Sequence, residues 1–166
     1  MDLDRLSLGF PMELRFIWPG KTKNPGARAL QEFYLGRIRP MASCRVHETR
    51  EAQGLDERAA TKILDVEARG LEDRLNGDYV VCLVDDGREM TSLEFARFLA
   101  KRAEDTARPP AFVVGGFLGL AGRIVERADL RLSLSRMTFS HEMARVVLLE
   151  QVYRSLTIMK GTHYAK

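Results

Sequence analysis

Cysteine is nearly absent. Cys44 and Cys82 are the only two in 166 residues, and neither has a second Cys or His at metal-ligand spacing. That argues against a disulfide-stapled scaffold or a zinc site, and both are expected as reduced, buried thiols within strand-like segments. Long apolar runs are missing as well. Stretches such as "AFVVGGFLGLAG" and "VVLLE" fall short of the roughly 18 residues a membrane-spanning helix needs. No basic segment followed by an apolar one opens the chain, so a cytoplasmic protein that avoids the membrane is expected. Neither sign of charge dominates: 26 Lys and Arg stand against 23 Asp and Glu, a net +3. The isoelectric point near 9.0 is compatible with nucleic acid and does not by itself point to it. With no internal repeat, low-complexity tract or linker, one compact domain is the default.

What is present alternates. A strand at "MELRFIW" from Met12 leads into the loop "PGKTKNPG". Ala27, Leu30, Phe33, Tyr34 and Ile38 then recur at helical spacing up to Pro40. A second strand is expected over Ala42–His47, a helix from about Leu55 to Leu75 with Gly77 beyond it, and a buried strand and turn at "DYVVCLVDDG". Thr91 stands three residues before Glu94, the spacing of a capping box, and opens a helix that turns Phe95, Phe98 and Leu99 inward. After "RPP" come the strand "AFVV", a short helix around Gly119–Ala128, a fifth strand "LRLSLS" and a last helix from Ser140 to about Met159. This order implies an α/β domain with a largely parallel sheet and helices on both faces. Residues 1–11 precede the first strand as an appended segment, leaving 12–166 as the domain.

The stretch "FVVGGFLGLA", Phe112–Ala121, runs an apolar strand into Gly115, Gly116 and, three residues on, Gly119. In open α/β sheets, ligands bind beyond the carboxyl ends of strands. The dinucleotide fingerprint GxGxxG on a first βα unit is nevertheless absent, as is the GK[ST] of a phosphate loop. A nucleotide-dependent oxidoreductase is therefore disfavoured, and a buried turn that needs small residues stands as the alternative. Two further strand ends, at "VVCLVDDG" and at "LRLSLS" before "RMTF", are similarly rich in backbone and hydroxyl groups. Three such ends can surround a flat, uncharged heterocycle such as adenine.

The run "LSLSRMTFSHEMARVVLLEQVYRSLTIMKGTHY" resembles the C-terminal signature of the ribosomal RNA large subunit methyltransferase H family. These are SPOUT-class enzymes that methylate a pseudouridine at N(3) in large-subunit rRNA. The resemblance continues through "FVVGGFLGL" and "DDGREMTSLEFA", and more weakly to "MELRFIWPGK", whose counterpart opens the family's chains. It implies a C-terminal trefoil knot, a homodimer, S-adenosylmethionine as cofactor with no metal, and rRNA, in the assembled ribosome, as partner. Carried onto this chain, the cofactor contacts fall on Leu83, Gly115, Gly116, Leu134, Ser135, Arg136, Met137, Thr138 and Phe139. The glycines would remove side chains where cofactor meets backbone.

Methyl transfer needs alignment and exclusion of water, and a base to take the N(3) proton. His141, at the start of the last helix, is the candidate base, biased toward its neutral form by the helix N-terminus. A hydrogen-bonding role at that terminus is the alternative. Arg145, one turn on, is expected to hold an RNA phosphate or the target base, or else to be ion-paired with Glu142 or Glu150. Tyr164 matches the family's tail and is carried over by the resemblance as a candidate catalytic residue, whereas the histidine usual beside it is Ala165 here, with His163 adjacent and Lys166 matching. Phe117 replaces the usual small residue after the glycine pair. The altered tail makes conceivable a ribosome-binding factor that keeps the cofactor pocket with weak or altered catalysis. Lys21, Lys23 and Arg136 could face phosphates, with a solvated loop as the alternative for the lysines.

Overall fold

The computed structural model describes residues 12–162 and Tyr164. The appended segment 1–11, together with His163, Ala165 and Lys166, lies outside the described residues. Five strands form one sheet in the order β2-β1-β4-β3-β5: β1 Glu13–Pro19, β2 Ser43–Thr49, β3 Tyr79–Glu89, β4 Pro110–Val113 and β5 Leu130–Ser133. Every pairing is parallel. The helices are α1 Pro25–Ile38, α2 Ala60–Glu72, α3 Ser92–Ala103, α4 Gly122–Glu126 and α5 His141–Met159.

Both faces of a parallel sheet are covered, so its strands read as continuous apolar runs whose residues divide by parity. Phe16, Trp18, Val81 and Phe112 point to one side, where Leu35, Phe95, Leu99, Leu149 and Val152 of α1, α3 and α5 meet them. Ile17, Val80, Cys82, Ala111 and Val113 point to the other, against Ala68 and Leu71 of α2 and Ile124 of α4. Stacking of Phe112 on Phe16, with ring centroids 5.7 Å apart, joins adjacent central strands.

Capping follows the sequence signals. Thr91 and Glu94 form the capping box of α3. Asn24 caps α1 by accepting from the Ala27 amide at 3.0 Å, and Ser140 accepts from the Met143 amide at the start of α5.

Several expectations need correction. The inward stripe of α1 is Ala27, Gln31, Leu35 and Ile38, while Leu30 and Phe33 are 43% and 49% exposed. Gln31 is buried because its Oε1 accepts from the Thr22 hydroxyl at 2.6 Å, so the polar residue took a place that hydrophobic spacing had given to its neighbours. The helix α4 begins at Gly122, since Gly119 instead takes φ +79° and closes a turn by donating to the Gly116 carbonyl at 3.0 Å. The segment after the charged loop opens with a 3-10 turn, Glu57–Ala59, and becomes α-helical only from Ala60. β3 does not turn at Gly87. It shifts register so that Leu132 of β5 faces both Leu83 and Arg88, and a Cβ at Gly87 would lie 2.6 Å from the Leu132 carbonyl carbon. β5 stops at Ser133, leaving Leu134 and Ser135 to the following loop. Cys82 is buried as expected, with its thiol pushed up to about 12 by burial, whereas Cys44 is only half-buried.

Candidate active site

Three strand ends converge. The end of β4 and the Gly115–Gly119 turn, the irregular part of β3 after Leu83, and the Leu134–Ser140 loop after β5 enclose a cleft of about 590 Å³. The loop after β5 is braced by its own hydroxyls. Ser133 Oγ donates to the Ser135 carbonyl at 2.9 Å, Ser135 Oγ accepts from the Met137 amide at 3.0 Å, and the Thr138 hydroxyl reaches Asp85 Oδ2 at 3.4 Å. Such local bonds hold a non-helical backbone in shape. Its apolar side chains, Met137 and Phe139, together with Phe117 across the cleft, are exposed and line it.

The glycines of the β4 turn answer first to the protein itself. A Cβ on Gly115 would sit 2.4 Å from the carbonyl carbon of Gly119, and one on Gly116 would sit 2.7 Å from Glu67 Oε2. Glu67, on α2, is buried with that oxygen unpartnered, and burial pushes its carboxyl above the usual carboxylate range. Both glycines also border the cleft, so backbone there is bare on the cavity side and packed tight on the other.

His141 is the first residue of α5 and borders the cleft. Its pKa is held below the ordinary imidazole value, first by burial and then by the Arg145 guanidinium, against an opposing pull from Glu142. The ring is thus neutral at physiological pH, the form that accepts a proton. Among the described residues, His141 is the sole histidine in the cleft lining and Asp85 the sole carboxylate.

Arg145 does not reach the cleft. It is fully buried, with Nη2 donating to the Pro19 carbonyl at 2.7 Å and Nη1 to Thr22 Oγ1 at 3.1 Å. Its guanidinium lies 5.1 Å from the Trp18 ring centre. Neither expected ion pair forms. Glu150 bonds Arg154 at 2.6 Å, and Glu142 accepts from the backbone amide of Asn24 at 3.0 Å and from that of Lys23. Burial lowers the Arg145 pKa to about 10, which still leaves it charged at neutral pH. An arginine here satisfies carbonyls at the carboxyl end of β1, those of Pro19 and Gly20, and that need decides its position.

The profile of a family described as predicted SPOUT methyltransferases matches residues 12–165. The chain is 41% identical to "Ribosomal RNA large subunit methyltransferase H" of Nitratidesulfovibrio vulgaris over 152 residues, covering 91% of this chain and 96% of that one. It is 40% identical to the protein of the same name from Geobacter sulfurreducens over 155 residues, 92% of this chain and 99% of that one. The chain belongs to the ribosomal RNA large subunit methyltransferase H family. Its fold is likewise that of a probable methyltransferase from Bordetella pertussis Tohama I, with a TM-score of 0.55 at 19% identity, covering 87% of this chain and 96% of that one.

Membership frames the residues that the family signature singled out. Leu83, Gly115, Gly116, Leu134, Ser135, Met137, Thr138 and Phe139 all border the one cleft, together with His141. Arg136 does not. Its side chain is exposed, 4.0 Å from Glu89. Tyr164 lies elsewhere, packed on Tyr153 of α5 with ring centroids 4.6 Å apart and its hydroxyl 3.4 Å from Glu150. Its phenol is raised to about 12, burial being the first cause, so it is protonated at neutral pH and cannot serve as a base there. Asp85, Phe117 and Ala144 border the cleft without having been singled out as contacts. For Asp85 the signal was the strand end "VDDG" itself. Lys23 is tied to Glu51 by a 2.8 Å ion pair, while Lys21 is exposed.

Proposed function

We propose that this protein transfers a methyl group from S-adenosylmethionine to N(3) of a pseudouridine in large-subunit ribosomal RNA, acting in the cytoplasm on the assembled ribosome. The observation that carries the reading is the convergence of eight family-assigned positions and His141 on one cleft, in a chain about 40% identical to relatives named for that rRNA.

The cleft suits such a cofactor. Backbone groups at Leu83, Gly115 and Leu134 offer donors and acceptors to a heterocycle edge, and Phe117, Met137 and Phe139 supply apolar walls. When bound, the sulfonium supplies an already activated methyl group. The chain's own work is to hold the acceptor nitrogen in line, to exclude water and to take a proton. His141 Nδ1 or Nε2, neutral and at the cleft wall, accepts the N(3) proton in this reading. Arg145 acts indirectly by holding the carboxyl end of β1 against the first turn of α5, which sets the His141 backbone.

We further read the protein as a homodimer with a knotted C-terminal half. Exposed Leu30 and Phe33 on α1 and Met143 on α5 leave apolar surface that a second copy would cover. The knot is read from the family resemblance of the run from Leu132 onward. Tyr164, remote from the cleft of its own subunit, would act in that assembly.

The test is transfer of labelled methyl to ribosomes lacking the modification, with the nucleoside identified by mass spectrometry. N(3)-methylpseudouridine is the expected product. Cofactor binding without transfer to ribosomes or free subunits would replace this reading with that of a ribosome-binding factor.

A further inference from the structure

A second groove, of about 410 Å³, runs between α3 and β3, from Arg88 near the end of that strand to Tyr79 at its start. Its floor is aromatic: Tyr79 and Phe98 are half-buried with ring centroids 5.9 Å apart. Its rim is cationic. Arg97 and Lys101 stand one helical turn apart on α3, and Arg88 of β3 adds a third exposed cation. Like charges at i and i+4 on a helix repel, so this pair works against the helix that carries it unless an anion lies across it. The groove's own acid, Glu94, lies close enough for Arg88 and Arg97 to favour its charged form, but it forms no ion pair with either. Among the described residues, Arg88, Arg97 and Lys101 have no carboxylate within ion-pair distance, whereas Arg102 at the floor is held by Asp105 at 3.4 Å and stacks 4.2 Å over Tyr79. Glu94 is engaged by the Thr91 amide at 2.7 Å and hydroxyl at 2.8 Å in the capping box.

One end of the groove lies near the cleft along β3, although the two share no lining residue. Asp85 borders the cleft and Arg88 borders the groove, three residues along the same strand, and Leu132 pairs on both sides of the intervening bulge.

We propose that this groove holds the RNA strand flanking the nucleotide in the cleft, with phosphates on Arg88, Arg97 and Lys101 and an unstacked base against Phe98. Cations alternating with aromatic faces are how single-stranded nucleic acid is bound without base-specific contacts. The inference rests on the rRNA reading above and names the surface that reading leaves unassigned.

The test uses the full chain carrying Arg97→Ala with Lys101→Ala, two exposed residues outside the cleft, and measures its affinity for assembled ribosomal particles as a function of salt. Each phosphate contact contributes about 0.7 to 0.9 to the slope of log K against log salt, so the double variant should bind at least tenfold more weakly with a slope shallower by about 1.4 to 1.8. Thermal stabilisation by S-adenosylhomocysteine should be unchanged, which separates the groove from the cleft. Arg97→Lys with Lys101→Arg should restore the wild-type slope. Unchanged affinity and slope would overturn the proposal, as would wild-type protein that does not bind the particles, or equal dependence on these two residues for heparin and for rRNA. If the wild type binds the particles and transfers no methyl group, the catalytic reading fails, while the change in slope still decides the groove.

Discussion

The Arg145 guanidinium, carried by α5, closes on the Pro19 carbonyl at the end of β1, 2.7 Å away and out of contact with solvent. Replacing it with methionine should keep the volume and strand two buried acceptors. Hydrogen bonds from a charged donor are worth about 1.5–3 kcal/mol, so a loss of about 3 kcal/mol is expected, lowering the melting temperature by about 6–12 °C. A calorimetric scan decides it. Wild-type stability combined with abolished RNA binding would return Arg145 to a substrate-contacting role.

His141 titrates below the ordinary imidazole value because burial and Arg145 disfavour its charged form. A base works when unprotonated, so methyl transfer should be level at neutral pH and fall only as acidification passes below about 6.5. His141→Ala should remove that limb and reduce kcat by about 10²–10⁴-fold with cofactor affinity preserved. A pH profile unaltered by the substitution would exclude the imidazole from proton transfer.

Two glycines separate crowding from freedom. Gly115→Ala places a methyl 2.4 Å from the Gly119 backbone, which must move, so cofactor-induced thermal stabilisation should disappear. Gly36, inside α1 with open space around its Cβ position, should accept alanine with a gain of about 0.5–1 kcal/mol. Equal tolerance of the two substitutions would contradict the tight turn.

Glu67 is a buried carboxyl whose pKa burial raises. A raised folded-state value stabilises the fold at low pH, and that contribution is lost as pH rises from the unfolded value near 4.3 through the folded one. Glu67→Gln should therefore flatten the pH dependence of unfolding above about 4.3. Denaturant titrations at several pH values check this. An unaltered dependence would place the carboxylate in water.

Leu30 and Phe33 test the assembly. Replacing both with aspartate on the exposed face of α1 should convert a dimer to a monomer by light scattering and leave the monomer fold intact, since neither is part of the core. Dimers persisting at micromolar concentration would move the interface off α1.

The alternation of apolar strands with amphipathic segments by itself determined the parallel α/β class, because a sheet covered on both faces needs uninterrupted apolar strands and helices to cover them. Local chemistry likewise settled the capping box of Thr91 and Glu94, whose partners are three residues apart. The signature from Leu132 onward marked the cleft loops. Tertiary structure decided what depends on distant neighbours. Hydrophobic spacing along α1 placed Leu30 and Phe33 inside, but Thr22 drew Gln31 inward and turned the helix. The charge of Arg145 suggested a ligand, and carbonyls more than a hundred residues earlier took it instead. The glycines of the β4 turn looked like room for a cofactor, yet the groups a Cβ would strike belong to Gly119 and to Glu67 of α2, and a linear pattern carries no record of which helix lies behind a turn.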